Sequence, residues 1–455
     1  MTAERARPAL VLLLLINLFN YVDRQVLAAV VPSVERSFFG GTGSAKGSAA
    51  LQAIQDWCRA HLGFQPQLAL IGVLSMAFMV LYMAGAPVFG RLAERHSRWA
   101  LVGIGVVCWS LASGASGLAA TFLSLLLTRC AVGIGEAAYG PVAPTILSDL
   151  YPVEARGRIL AWFYVAIPVG SALGYVLGGG VAASGIGEWG ARTLGIHAES
   201  WRWAFFLVVP PGVALGVRSF FMRDPPRGRS DGVAGDLPAR VRLRDYGVLL
   251  RTPSWTLCTL GMTAMTFAIG GIGFWMPYYL SSKPGAPASA TVIFGAITCV
   301  AGLVATLLGG AAGDRFRARF SGSYFLVSGV AMIVGFPFMV LTLSAGFPLI
   351  WLWVFLTCFC LFFNTGPTNT ILANVSHPSI RAAGFALNIF VIHAFGDVLS
   401  PVIIGILGDR WNMNRAFLLV GAMFLVGGVV WLLGARYRER DTAAAAASLG
   451  GRRTA

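Results

Sequence analysis

Three short stretches put ionisable side chains inside otherwise apolar runs. "NLFNYVDRQVLAAVVP" carries Asp23 and Arg24, "TRCAVGIGEAAYGP" carries Arg129 and Glu136, and "LNIFVIHAFGDVLSP" carries His393 and Asp397. Carboxylates and imidazoles take up and release protons, and guanidinium groups bind anions, so the chemistry on offer is proton exchange beside anion binding. On a helix, Arg129 and Glu136 stand two turns apart on one face, about 10 Å. His393 and Asp397 are four residues apart and share a face as well. A charge in mid-bilayer costs at least ~2.5–3.5 kcal/mol, so such groups persist only in pairs or beside a wet cavity. A static ion pair, for example Asp23 with Arg129, is one account of them. Six such groups from three separate segments exceed what fastening requires. They suit a polar cavity with a titratable site, because burial resists ionisation of a carboxyl while a nearby cation favours it.

The elements that must position these groups are membrane helices. Charged residues are 12% of 455 and apolar residues 56%, with a mean hydropathy of +0.73. A soluble chain carries about 25% charged residues. Apolar windows of about 20 residues recur along the whole length, without the alternation of barrel strands. Twelve spans are expected, at roughly 9–31, 67–90, 99–117, 120–149, 158–184, 201–222, 254–281, 288–313, 323–344, 347–376, 380–408 and 413–436. They predict an all-α membrane protein. Its parts are an N-terminal six-helix bundle over 1–222, a cytoplasmic linker over 223–253, a C-terminal six-helix bundle over 254–436 and a cytoplasmic tail over 437–455. The tail is expected to be disordered. The insertion 38–66 opens with a flexible Gly/Ser run and continues into "ALQAIQDWCRAHL", which has the pattern of a short amphipathic helix. The formal net charge of +15 is spread over short loops rather than one soluble face, which excludes nucleic-acid binding. Most Lys and Arg fall on the side of the N-terminus, so both termini are expected in the cytoplasm. None of the seven cysteines forms a CxxC pair, and no metal site, cofactor or catalytic constellation follows.

The two halves echo each other. "GPVAPTILSDLYP" (140–152) closes span 4 and "GPTNTILANVSHP" (366–378) closes span 10. "GRLAERHSR" (90–98) follows span 2 and "GAAGDRFRAR" (310–319) follows span 8. A parallel repeat of two six-helix halves describes major facilitator transporters. The loop stretches fit that superfamily's Gly-x-x-x-Asp-Arg-x-x-Arg signature, with Glu94 in place of Asp. They predict a conformational latch from Gly90, Glu94, Arg95 and Arg98, repeated at Asp314 and Arg315, with Gly90 admitting a close helix approach. Ordinary positive-inside charge is the plainer account. Gly170, Gly174 and Gly178 stand four apart and predict a close-packed helix seam. "GIGEAA" resembles a dinucleotide fingerprint and "GGTGSAKGS" a phosphate loop, but the first lies inside an apolar helix and the second lacks the required Gly before Lys46.

Asn20, Tyr139, Asn364, Asn369 and Asn388 add hydrogen-bonding groups within the spans, and Phe19, Trp162, Phe267, Trp275 and Phe363 add aromatic wall; together they suit a cavity with a polar clasp and apolar walls. Taken singly, each suits packing. Asp149 is expected to pair with Arg156 or Arg158.

"NYVDRQVL", "RCAVGIGEAAYGPVAPTILSDLYPVEARGR" and "HAFGDVLSP" resemble the Spinster family, the lysolipid and sphingosine-phosphate branch of the major facilitator superfamily. The resemblance implies proton-linked movement of a charged single-chain lipid. It implies Asp23 and Glu136 as proton-coupling carboxylates, Arg24 as a phosphate or carboxylate partner and His393 as a modulator of coupling. With the residues above, the expected proton-coupling set is Asp23, Glu136, His393 and Asp397. The expected substrate-binding set is Arg24, Arg129, Asn20, Tyr139, Trp275 and Asn369. A monomer in a bacterial inner membrane is expected, with protons and an anionic or zwitterionic lipid as its partners. The alternative is a proton-coupled symporter of a small organic anion such as a sugar acid.

Overall fold

The computed structural model describes residues 3–40, 49–151, 153–226, 243–317, 319–320, 322–376 and 380–450. The remainder, including residues 41–48 of the insertion, 227–242 of the linker and 451–455 of the tail, lies outside the described residues. The described residues form nineteen α-helices and one π-helical turn, with no strand among them. In chain order they are α1 (Ala3–Phe39), α2 (Ala49–Leu62), α3 (Gln67–Arg95), α4 (Arg98–Leu118), α5 (Phe122–Ala137), α6 (Ala143–Leu150), α7 (Val153–Ala182), α8 (Ile186–Leu194), α9 (Ser200–Phe220) and α10 (Leu243–Leu250). The chain continues through α11 (Pro253–Ser282), α12 (Ala290–Arg317), α13 (Ser323–Ser344), α14 (Ile350–Phe362), α15 (Thr365–Val375), α16 (Arg381–Ile392), the π-turn His393–Asp397, α17 (Ser400–Arg410), α18 (Met413–Gly434) and α19 (Arg438–Gly450).

Eleven of these segments are long and apolar enough to cross a membrane. The expected fourth span is present in two pieces, α5 and α6, separated by a turn through Gly140-Pro141. A proline clashes with the turn before it and lacks the amide that would continue the ladder. The tenth span breaks similarly between α14 and α15, just ahead of Gly366-Pro367. The repeat in the sequence is thus also a repeat of broken helices.

The chain divides into two compact units. The first comprises residues 1–235, 273–296 and 408–410; the second comprises 236–272, 297–407 and 411–455. In the first, α1 is clamped against α7 along the expected glycine seam. A Cβ on Gly170 would strike the Leu18 carbonyl and Tyr21, one on Gly174 the Val22 carbonyl and Gln25, and one on Gly178 Ala29. Removing those side chains lets backbones meet without a void, which is how helices gain contact where no hydrophobic force drives them together. Asn17 adds a hydrogen bond to the Phe163 carbonyl at 2.7 Å.

The insertion helix expected at 50–62 is observed as α2. Gly90 departs from expectation: a Cβ there would meet nothing within 4 Å, so no close approach depends on it, and Gly310 is equally open. The tight positions beside it are Gly309, whose Cβ would collide with the Phe363 carbonyl, and Gly313, whose Cβ would press on the Tyr324 ring. The expected disorder of the tail is also corrected, since α19 runs to Gly450. An alanine run has the highest helix propensity, and Glu439 and Asp441 in the first turn suit the helix dipole. Asp441, 6% exposed, accepts from the Ser254 amide at 2.8 Å and so caps α11.

Candidate functional site

The first unit brings together four of the predicted charged residues. Arg24 of α1 donates from Nε to Oε2 of Glu136 on α5 at 2.7 Å, with the Glu136 side chain fully buried and Arg24 16% exposed. Asn20, one turn before Arg24 on α1, is 3% exposed. Asp23 is 2% exposed and Arg129 1%. The charges of Asp23, Arg24, Arg129 and Glu136 all act on one another. Two acids and two arginines sum to zero, which is the condition for keeping four charges away from water.

Partners that the sequence did not reveal complete the site. Ser113 of α4 donates its hydroxyl to Oδ1 of Asp23. The Arg24 guanidinium carbon lies 5.1, 5.1 and 5.0 Å from the ring centroids of Tyr21, Phe78 and Tyr82. Arg129 lies 5.4 Å from the same Phe78 ring. One phenyl ring thus stands near both guanidinium groups, where ring quadrupoles stabilise cations that have lost their water. Among the described residues, Asp23 Oδ2, Glu136 Oε1 and Arg129 Nε and Nη1 are buried without a hydrogen-bond partner.

Local sequence explains how α5 reaches this position. In "GIGE", a Cβ on Gly133 would strike the Phe78 carbonyl of α3, and one on Gly135 would strike Trp109 of α4. The two glycines admit neighbouring backbones on two faces, and Glu136 follows them into the interior. Tyr139 is 3% exposed and donates to the Leu13 carbonyl at 2.7 Å, packed edge-on to Trp109. Its hydroxyl therefore fastens α1 to the end of α5. Trp275 is also buried in the first unit, edge-on to Phe274 and Tyr278.

The second unit holds the other predicted pair. His393 Nδ1 lies 3.0 Å from both carboxylate oxygens of Asp397, with side chains 33% and 17% exposed. Both residues sit in the π-turn, where Val398 donates to the His393 carbonyl five residues back at 3.1 Å. Such turns insert one residue into a helix and re-aim the side chains around it. Gly396 allows Thr266 of α11 to press against the turn, and Gly270 does the same for Asp397. Asn369 is exposed and bonds the Thr365 carbonyl of its own helix at 2.8 Å.

Of the loop residues, Glu94, Arg95, Asp314 and Arg315 are exposed, and Asp314 accepts from the Tyr324 hydroxyl at 2.6 Å. Arg98 is 4% exposed. Its Nη1 meets the Asp149 carboxylate, its Nη2 donates to the Pro225 carbonyl at 2.7 Å, and Asp224 caps α4 by accepting from the amides of Arg98 and Trp99 at 3.0 and 3.1 Å. Arg98 thus fastens its own unit. The side chains of Arg156 and Arg158, the expected partners of Asp149, lie outside the described residues. Among the described residues, no group of three or more His, Cys, Asp or Glu side chains could hold a metal ion.

At the opposite end of the first unit lies another ionic knot. Glu199 accepts from Ser37 at 2.8 Å, Trp201 at 3.0 Å and Arg202 at 3.1 Å, while Arg202 also donates to the Gly117 and Ala119 carbonyls. Burial resists ionisation of Glu199, but these three donors and the charge of Arg202 outweigh it and hold the carboxyl below its ordinary value.

The family model described as Major Facilitator Superfamily matches residues 13–396. Protein spinster homolog 3 of Danio rerio is 31% identical, covering 97% of this chain and 87% of the relative. The sphingosine-1-phosphate transporter SPNS2 of Mus musculus is 30% identical, covering 94% of this chain and 77% of the relative. A crystal structure of a bacterial homolog of the human lysosomal transporter Spinster superposes with a TM-score of 0.80 at 19% identity, covering 97% of this chain and 99% of that one. Family match, full-length relatives and shared fold agree with the membrane-buried charges: the chain belongs to the Spinster family of the Major Facilitator Superfamily, whose members are multi-pass membrane transport proteins and not enzymes.

Proposed function

We propose that this transporter is a proton-coupled carrier of a lysophospholipid or a related charged single-chain lipid. It works by alternating access of two six-helix bundles, residues 1–222 and 254–436, joined by the 223–253 linker. The observation that carries the reading is the neutral cluster of Asp23, Arg24, Arg129 and Glu136, buried yet holding unpartnered polar atoms on both acids and on Arg129. A carboxylate oxygen without a donor is where a proton can be added. Adding one leaves the cluster with a net positive charge, which favours an anionic headgroup. Losing the proton restores neutrality and weakens that attraction. Proton and anion are thereby bound together, which is the thermodynamic content of symport. A relative whose name states a sphingosine-1-phosphate substrate supports the lipid class.

In this reading Asp23 and Glu136 carry protons and the His393–Asp397 pair adjusts coupling. Arg24 and Arg129 meet the headgroup, and Asn20, Tyr139, Trp275 and Asn369 are the further substrate-binding residues. Glu94, Arg95, Asp314 and Arg315, with Arg98 and the loop glycine Gly90, form the latch. The protein acts as a monomer in a bacterial inner membrane with both termini cytoplasmic. At ~2.3 kcal/mol per charge per 100 mV, one inward proton supports an accumulation of one to two orders of magnitude. The test is uptake of a fluorescent lysophospholipid into proteoliposomes with and without a pH gradient. The gradient is expected to drive uptake in the wild type and to have no effect in the Asp23→Asn/Glu136→Gln variant. Wild-type movement that ignores the gradient and survives both substitutions overturns the reading.

A further inference from the structure

Three serines stand three residues apart on α4: Ser110, Ser113 and Ser116, none more than 2% exposed. A buried helical hydroxyl ordinarily donates to a carbonyl one turn back. Ser110 does so, to Val106 at 2.7 Å. Ser116 does so, to Ala112 at 3.2 Å, and shares a second bond with Thr128 at 2.8 Å. Ser113 instead reaches across to α1 and donates to Asp23. The other oxygen of that carboxylate has no partner among the described residues. The remaining charged groups that act on Asp23 are Arg129 and Glu136 from α5 and Arg24 from its own helix. Two further titratable groups, Tyr21 of α1 and Tyr82 of α3, stand against Arg24. On its other flank this stretch of α1 meets the glycines of α7.

We infer that Ser113 is a positioning residue for the proton site, holding Asp23 as an ionised acceptor and releasing it to α4's own backbone when a proton arrives. The inference rests on the proton-coupled reading above. A donor aimed at a carboxylate favours its charged form. Once Asp23 is protonated, that donor loses most of its worth. The hydroxyl then has the alternative its two neighbours already use, the carbonyl one turn back, here that of Trp109. Both positions satisfy the hydroxyl, and the carboxyl oxygen it leaves belongs to a neutral acid rather than to a buried charge. Proton arrival thereby unties α4 from α1 at the depth of the charge cluster.

The experiment uses the full chain in proteoliposomes. It records lysophospholipid counterflow across a pH series, together with the infrared carboxylic-acid band that Asp23→Asn removes. The band reports protonation whether or not the lipid is the right substrate. Ser113→Ala is expected to move both midpoints to higher pH by about one unit, the scale of one hydrogen bond to a charged group. Ser113→Thr is expected to restore them, and Ser110→Ala and Ser116→Ala to leave them in place. If Ser113→Ala does not fold, Ser113→Cys, a weaker donor, is expected to give a smaller shift of the same sign. Wild-type midpoints that persist unmoved in Ser113→Ala or Ser113→Cys overturn the inference while leaving proton coupling intact. A wild type with no pH-dependent band and flat counterflow overturns the proton-coupled reading itself.

Discussion

The two ionic centres are built in opposite ways. In the first unit, Arg24 and Glu136 meet across 112 residues of sequence, and Asp23 takes its hydrogen bond from a third helix. Asp23, Ser113, Arg129 and Glu136 are buried there, with Arg24 partly so, and the geometry exists only while α1, α3, α4 and α5 are packed. In the second unit, His393 and Asp397 are neighbours on a single turn and stay partly exposed. Their geometry is local, set by the π-turn and by the glycines that let α11 approach it. The difference separates two jobs. A cross-helix cluster converts a change of charge into a change of packing. A local, wetter pair can change protonation with little mechanical consequence and suits adjustment better than drive.

That contrast is broken most directly by removing one partner from each centre. Arg24→Met leaves the Glu136 charge buried without its hydrogen bond, and losing one member of a buried pair costs about 3–5 kcal/mol. A large fall in thermal stability of the detergent-purified protein is expected. Arg24→Met/Glu136→Gln is expected to recover part of it, since the stranded charge is gone. His393→Gln and Asp397→Asn should cost about 1 kcal/mol or less, since a partly solvated local pair is screened by water. Equal losses in both centres would show that the second pair is as much a structural tie as the first.

The parts of this arrangement that were legible in the sequence share one feature: their signal is local. Asp23, Arg24, Arg129, Glu136, His393 and Asp397 stood out because a charge in an apolar run is anomalous wherever it ends up pointing. The glycine seam of α7 was readable for the same reason; the Gly-Pro pairs at 140–141 and 366–367 stood out only as a repeat, and the breaks beside them fall inside spans expected to be continuous. Ser113, Phe78 and Tyr82 were not readable. A serine or an aromatic in a membrane helix is unremarkable in sequence, and only the approach of another helix gives it a charge to hold. Ser113 had one weak trace, the three-residue spacing of serines on α4, but nothing there distinguishes the middle one. The inward bonds of Arg98 were not readable either, because its partners Asp149 and Asp224 are 51 and 126 residues away. The tail was misjudged by giving low complexity more weight than alanine's helix propensity.

A smaller effect sharpens the dependence of the first centre on packing. Gly133→Ala pushes a methyl into the Phe78 carbonyl, a backbone atom that cannot rotate away. Overpacking of this kind costs about 1–3 kcal/mol. It should also weaken the Arg24–Glu136 coupling measured by the double-mutant cycle, because the Phe78 ring against both guanidinium groups moves with its backbone. Gly90→Ala, in open space on α3, is expected to raise stability by about 0.5–1 kcal/mol, as alanine does in place of glycine inside a helix. If both substitutions behave alike in thermal unfolding, close approach of α5 to α3 is not what holds the cluster.

The smallest effect concerns Glu199, whose knot ties the ends of α1 and α4 to the start of α9 far from either centre in sequence. Its side chain is 44% exposed, so solvent screens the interaction and the contribution is modest. The sign is nonetheless defined. Because the folded carboxyl ionises below its ordinary value, the knot's contribution is fully present above the unfolded carboxyl's pKa of about 4.3 and is lost as pH falls through the folded value. Glu199→Gln should therefore be less stable than the wild type at neutral pH, and the gap should close on acidification below about pH 4.3. A gap constant across that range would mean that Ser37, Trp201 and Arg202 hold the glutamine as well as the carboxylate. The knot would then be a hydrogen-bonded fastening without electrostatic content, and the charge-dependent behaviour of the first unit would belong to the Asp23–Glu136 cluster alone.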